Sequence, residues 1–201
     1  MAKTIPLGLR PGNPRDILAA KFEIENEQTF QFKQLYKIMF EWLIEEGWTD
    51  QYLPGNENFE HLYLEKTLQD GAQEHLIWWR IQFTPYNNSY FRYVMHIDFQ
   101  TIHMGKTEVI HKGQKFKTYV GDLILRVESW LQLDYQNKWE NHWFLKNFDD
   151  VFRRRIYKKN VESYKKDLYN WTYRFQNMLK SFLQLKTSSE LAEPFHPKLG
   201  I

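Results

Sequence analysis

Apolar positions change period twice along the chain, dividing it into helix, strands and helix again. From Thr29 to about Glu46, Leu35, Met39, Trp42 and Leu43 recur at helical spacing, and Tyr36 and Phe40 widen the stripe. That spacing predicts an amphipathic helix, with Gly47 as its stop. Before it, Phe22 and Ile24 alternate with charges and predict a short strand over residues 21–25. After it, Pro54-Gly55 marks a loop.

From residue 60 to residue 135 the period is two. Strands are predicted near 61–68, 75–86, 90–103, 106–111, 115–120 and 123–135. Asp70-Gly71, Tyr86 to Ser89, Met104-Gly105, Lys112 to Gln114 and Gly121-Asp122 separate them as turns. Connections this short force antiparallel neighbours, hence a β-meander. Ile77, Trp79, Ile81 and Phe83 share one face, as do Tyr93, Met95, Ile97 and Phe99, and Leu123, Leu125 and Val127. These faces belong against helices. The opposite face, with Trp78, Arg80, Arg92, His96, Asp98, Arg126, Glu128 and Trp130, reads as partly solvated.

Beyond Trp139 the helical period returns. Asn141 is the expected cap of a helix carrying Phe144, Leu145, Phe148, Val151, Phe152 and Ile156. Val161, Tyr164, Leu168, Trp171, Phe175, Met178, Phe182 and Leu185 then alternate by three and four, a heptad seam. The two stripes are out of phase by roughly 150°. One straight helix cannot bury both, so a break is predicted at Lys158–Asn160 with Asn160 as the new cap. The bulky rings of the seam suit packing on a sheet better than a two-stranded coiled coil.

The expected fold is therefore α+β: an antiparallel β-meander of about five to six strands packed against an N-terminal helix and long C-terminal helices. A Pro/Gly-rich extended arm is expected over residues 1–20, a single domain over 21–186 and an extended tail over 187–201.

Composition narrows the function classes. Aromatic residues make up 17% of the chain, which predicts a ring-rich core. Cysteine is absent, which excludes disulfides, thiolate metal sites and cysteine nucleophiles. No leader-like apolar run occurs in residues 1–30, and no apolar stretch of about 18 residues is long enough to span a membrane. A cytoplasmic protein is the expectation. Seven histidines show no HxxxH or HxH spacing, and no glycine-rich phosphate loop or nucleophile elbow occurs. His96 and Asp98, on one strand face, are the one acid–base candidate; cross-strand links to Arg80, Arg92, Arg126 or Glu128 are the ordinary use of such a pair. No cofactor, metal or catalytic residue is assigned.

Charge is uneven. Residues 1–152 carry 16 basic and 21 acidic side chains, and residues 153–201 carry 11 and 4. Arg153, Arg154, Arg155, Lys158, Lys159, Lys165 and Lys166 form a tract interrupted by the single acid Glu162. Clustered cations of this kind contact phosphates, and Tyr157 and Tyr169 stand near enough to stack or reach one. An anionic membrane surface fits less well, because the tract is not interleaved with an exposed apolar face.

Two stretches, LYKIMFEWLIEEGW at 35–48 and KWENHWFLKNFDDVFRRRIY at 138–157, resemble a family of small uncharacterised archaeal proteins. In that family a helix leads into a β-meander, then a tryptophan-bearing segment and C-terminal helices. The match covers about residues 29–185 and leaves out both arms. The resemblance implies the fold and no activity, cofactor or site. The element order is also similar to the helix-grip architecture, a cupped sheet around an apolar ligand.

The expected function is a non-enzymatic binding or assembly protein. It would contact a larger macromolecular complex through its arms and the basic stretch 153–166. An RNA- or DNA-binding accessory protein and a helix-grip carrier of an apolar small molecule, with its cavity under the long helix, are the alternatives. Self-association is a further partner expectation.

Overall fold

The structure is a computed structural model. It describes residues 8–184 except 10, 11, 86, 87, 112, 113, 146, 147, 149, 150, 152–154 and 156. Residues 1–7 of the N-terminal arm and the C-terminal tail from 185 lie outside the described residues.

The elements are strand β1 (Asp16–Asn26), helix α1 (Phe32–Glu45), strands β2 (Thr49–Asp50), β3 (Glu60–Thr67), β4 (Gln73–Phe83), β5 (Phe91–His111) and β6 (Gln114–Leu133), and helix α2 (Lys158–Phe182). Among the described residues the six strands form one antiparallel sheet in the order β1-β6-β5-β4-β2, with β3 also on β4. The α+β class and antiparallel pairing are as the sequence predicts.

The meander itself differs. Four short strands were expected between residues 90 and 135, and the structure has two long ones. Met104-Gly105 and Gly121-Asp122 are not turns: Ile102 pairs with Asp122 and Gly105 with Val120, and a bulge lies between them. The two glycine sites face each other across one hairpin, so they bend it together. A Cβ on Gly121, whose φ is +155°, would sit 2.8 Å from Met104 Cα and 2.9 Å from the His103 carbonyl oxygen. Only glycine permits that approach.

Strand β1 begins at Asp16, earlier than the alternation suggested, because a bulge between Leu18 and Ala20 shifts its phase. Phe22 pairs with Val127, Val127 with Ile97, and Ile97 with Trp79, so one apolar row crosses four strands. Ile24, Leu125, Phe99 and Ile77 form the next row. Beyond β1 the chain loops out and Phe30 rejoins the edge of β6 opposite Tyr119.

Both helices contribute to one core on this face. From α1, Phe32, Leu35, Met39 and Leu43 are buried; from α2, Leu168, Phe175 and Leu179 are. Helix α2 lies on β1 and β6. The helices meet at Trp171, whose ring is 4.5 Å from that of Trp42 and 4.6 Å from that of Trp48. Glu46 joins them as well, accepting from Trp171 Nε1 at 3.1 Å and pairing with Arg174 at 2.6 Å.

The break before α2 lies at Tyr157, just before the predicted Lys158–Asn160, which is already helical, and the cap differs as well. Tyr157 is the N-cap, with no side-chain capping bond, and Asn160 sits exposed in the first turn. The tyrosine ring docks on Phe91 at 5.8 Å and Tyr90 at 6.0 Å, so ring packing positions the bend. Upstream, the expected cap Asn141 is displaced by its neighbour. His142 Nδ1 accepts from the amides of Phe144 and Leu145, each at 3.3 Å.

Candidate functional site

Arg153 and Arg154 lie outside the described residues. Arg155, Lys158, Lys159 and Lys166 are exposed, and Lys165 is half-buried. Helix α2 carries the four lysines along its first two turns and a half. Lys158 pairs with Glu162 at 3.8 Å. The pair is solvent-exposed on both sides, so it holds the lysine weakly. Tyr157 is occupied in the core, as described above. Tyr169 is exposed, its ring 4.4 Å from that of Tyr173.

What the sequence did not show is the exposure of the apolar residues that precede this tract. Trp143 is 83% exposed, Phe148 50%, and Phe144 and Val151 nearly as much. Their rings contact one another: Trp143 to Phe144 at 5.6 Å, Phe144 to Phe148 at 4.8 Å. Of the expected stripe, Phe144, Phe148 and Val151 are about half exposed and Leu145 is half-buried; Phe152 and Ile156 lie outside the described residues. The core face of the sheet carries α1 and α2.

The opposite face of the sheet divides in two. At one end it is a ladder of charges: Lys21 with Glu128 at 2.7 Å, Arg126 with Glu23, and Arg80 with Asp98 at 2.7 Å. At the other end it is buried under the segment that follows β2. There Arg92 is fully buried, donating to Gln132 Oε1 at 2.9 Å, Gln82 Oε1 at 3.0 Å and the Gln51 carbonyl at 3.2 Å, with the Tyr135 ring 5.3 Å away. Burial lowers its pKa to about 10, so it is still charged at neutral pH.

His96 and Asp98 do not converge. Asp98 stays with Arg80, and the His96 ring bonds Gln51 Oε1 at 3.0 Å. Burial first, and the nearby Arg80 second, lower the His96 pKa from 6.5 to about 4, so the ring is neutral at pH 7. A different pair lies close by: His61 Nε2 is 2.6 Å from Asp50 Oδ2, while Asp50 Oδ1 accepts from the amides of Tyr52 and Leu53. The carboxylate thus closes a turn as well as holding the histidine. Among the described residues no group of three or more His, Asp or Glu is placed to hold a metal ion, and no helix is long and apolar enough to cross a membrane.

Beneath α2, where the carrier reading looks for its cavity, Leu168, Thr172, Phe175 and Leu179 are fully buried. Thr172 Oγ1 is 2.7 Å from the Leu168 carbonyl oxygen and 2.8 Å from Ser129 Oγ, tying the helix to β6. A cleft lies elsewhere, at the start of α1. No family model matches the chain, and no curated protein matches it.

Proposed function

We propose that this protein is a non-enzymatic binding protein of a larger assembly, and that it holds a single-stranded nucleic acid against the segment 143–169. The observation that carries this reading is the exposure, within one stretch of the chain, of the rings Trp143, Phe144 and Phe148 and of the cations Arg155, Lys158, Lys159 and Lys166. Bases stack on exposed rings, and phosphates are held by lysine and arginine; a sequence-tolerant single-strand site needs both side by side. Tyr169 continues the same combination along α2. Residues 143–169 carry four acids, Asp149, Asp150, Glu162 and Asp167, against eight lysines and arginines.

The test is fluorescence anisotropy with a labelled oligonucleotide of about twenty bases across roughly 50 to 200 mM salt. Binding that weakens steeply with salt is expected. Lys158→Glu with Lys159→Glu should flatten the slope, and Trp143→Ala should weaken binding by about 1–3 kcal/mol at every salt concentration. No binding at low salt, or binding indifferent to both variants, overturns the reading. Binding of anionic vesicles without binding of the oligonucleotide would also overturn it, in favour of a membrane surface.

A further inference from the structure

The bent end of the β5–β6 hairpin reaches past the start of α1 and borders an open cleft of about 680 Å³, lined by Phe32, Lys33, Lys106, Glu108, Lys117 and Tyr119 among others. That volume lies in the range of small-molecule sites. Its position follows from three features already described. The bulge opposite Gly121 turns the hairpin, the Phe30–Tyr119 bridge fixes the edge of β6, and α1 begins two residues later.

The chemistry of the walls is uneven in a useful way. Phe32 is 8% exposed and held rigid, stacked on the His75 ring at 4.4 Å and edge-on to Phe99 at 5.5 Å. Tyr119, partly buried, supplies the second ring. Lys106 pairs with Tyr119 across the hairpin and Lys117 with Glu108, so these four share one face. Lys33 comes from the facing wall, α1. Among the described residues none of the three lysines has a carboxylate within ion-pair distance, and the carboxylate of Glu108 is 3.9 Å from Lys115. The first turn of α1 adds to the positive side: Gln31 makes no side-chain capping bond, and the turn carries no acid.

From this we infer that the cleft is a binding site for a small organic anion with an apolar body. Its carboxylate, sulfonate or phosphate would lie among Lys33, Lys106 and Lys117, and its apolar part against Phe32 and Tyr119. The site is separate from the surface proposed for nucleic acid. Phe182, Leu183 and Gln184 border the adjoining cleft, which shares Gln31 and Thr118 with this one. Lys158 stands at the other end of α2, about 36 Å away by helical rise.

The full-length chain is titrated with 1-anilinonaphthalene-8-sulfonate, which joins an aromatic body to a sulfonate and brightens in an apolar site. Saturable binding is expected, with displacement by decanoate and not by decanol. Lys33→Gln, Lys106→Gln and Lys117→Gln combined should weaken it at least roughly tenfold while the melting temperature holds, since charge-assisted bonds of this class are worth that much. Trp143→Ala serves as the control for the exposed rings and should leave binding unchanged. The inference is overturned if the probe does not bind, if the triple variant binds as the native chain does, if decanol competes equally, or if Trp143→Ala alone abolishes binding. Loss of oligonucleotide binding by the Lys158/Lys159 variant does not enter this experiment, so the two readings fail separately.

Discussion

Single residues whose sequence signals are weak hold much of this molecule in place. Gly121 stands in a run that reads as turn material, yet its α-hydrogen faces the backbone of Met104 and His103. Neither backbone atom can swing aside as a side-chain end would. Gly121→Ala should therefore cost about 2–3 kcal/mol in urea denaturation, more than a surface glycine replacement. His96 gives a pH signature. Its folded-state pKa of about 4 lies below the ordinary 6.5, so between those values the unfolded chain takes up a proton that the native chain does not. Stability from this group is full above pH 6.5, falls as the pH drops through the window, and levels off below pH 4. The total is about 3 kcal/mol. Denaturation midpoints of His96→Gln should lose that part of the acid dependence; an unchanged pH profile would show that His96 is not its source. The helical and strand spacings that frame both residues are legible in the chain. Their contacts are not, because each depends on a partner 17 to 45 residues away.

At the scale of elements, the junction between α1 and α2 is the point to test. Trp171 meets Trp42 and Trp48 through its ring and Glu46 through its indole nitrogen. Arg174 meets the same carboxylate from solvent. Trp171→Ala should destabilise by about 3 kcal/mol, through lost burial and a cavity, whereas Arg174→Ala should cost under about 1 kcal/mol. Comparable losses would mean that charge, not packing, joins the helices. The seam carrying Trp171 was readable as a stripe of period three and four. Its use inside the chain follows from the rings themselves, which fit a sheet and a second helix. The segment 143–151 shows the reverse case. Its stripe has the same period, yet Phe144, Phe148 and Val151 are each about half exposed. Periodicity states that a helix has two sides; it does not state which is covered.

For the whole molecule, the sheet separates two kinds of surface. One face, with both helices, is the core. The other is half charge ladder and half buried polar cluster, a division invisible along the strands because the cover arrives from the segment after β2 and from Tyr135. Of the basic tract, the residues and their order were legible; Arg155, Lys158, Lys159 and Lys166 are exposed, Lys165 is half-buried, and Arg153 and Arg154 lie outside the described residues. The exposure of Trp143, Phe144 and Phe148 upstream of it was not legible. The cleft at the start of α1 was not legible at all. Lys33, Lys106 and Lys117 are scattered over 85 residues and share a site through the bend of one hairpin.

By itself, the order of apolar and polar residues determined the α+β class, the antiparallel pairing and the core-facing side of each central strand, because side-chain direction repeats every two or 3.6 residues whatever the surroundings. Tertiary structure alone decided where two facing glycine sites bend a hairpin, which amphipathic stripe is left uncovered, and which distant lysines line one cleft. Those outcomes depend on competition for a limited core surface and on the meeting of segments far apart in the chain, and neither is a local property of the sequence.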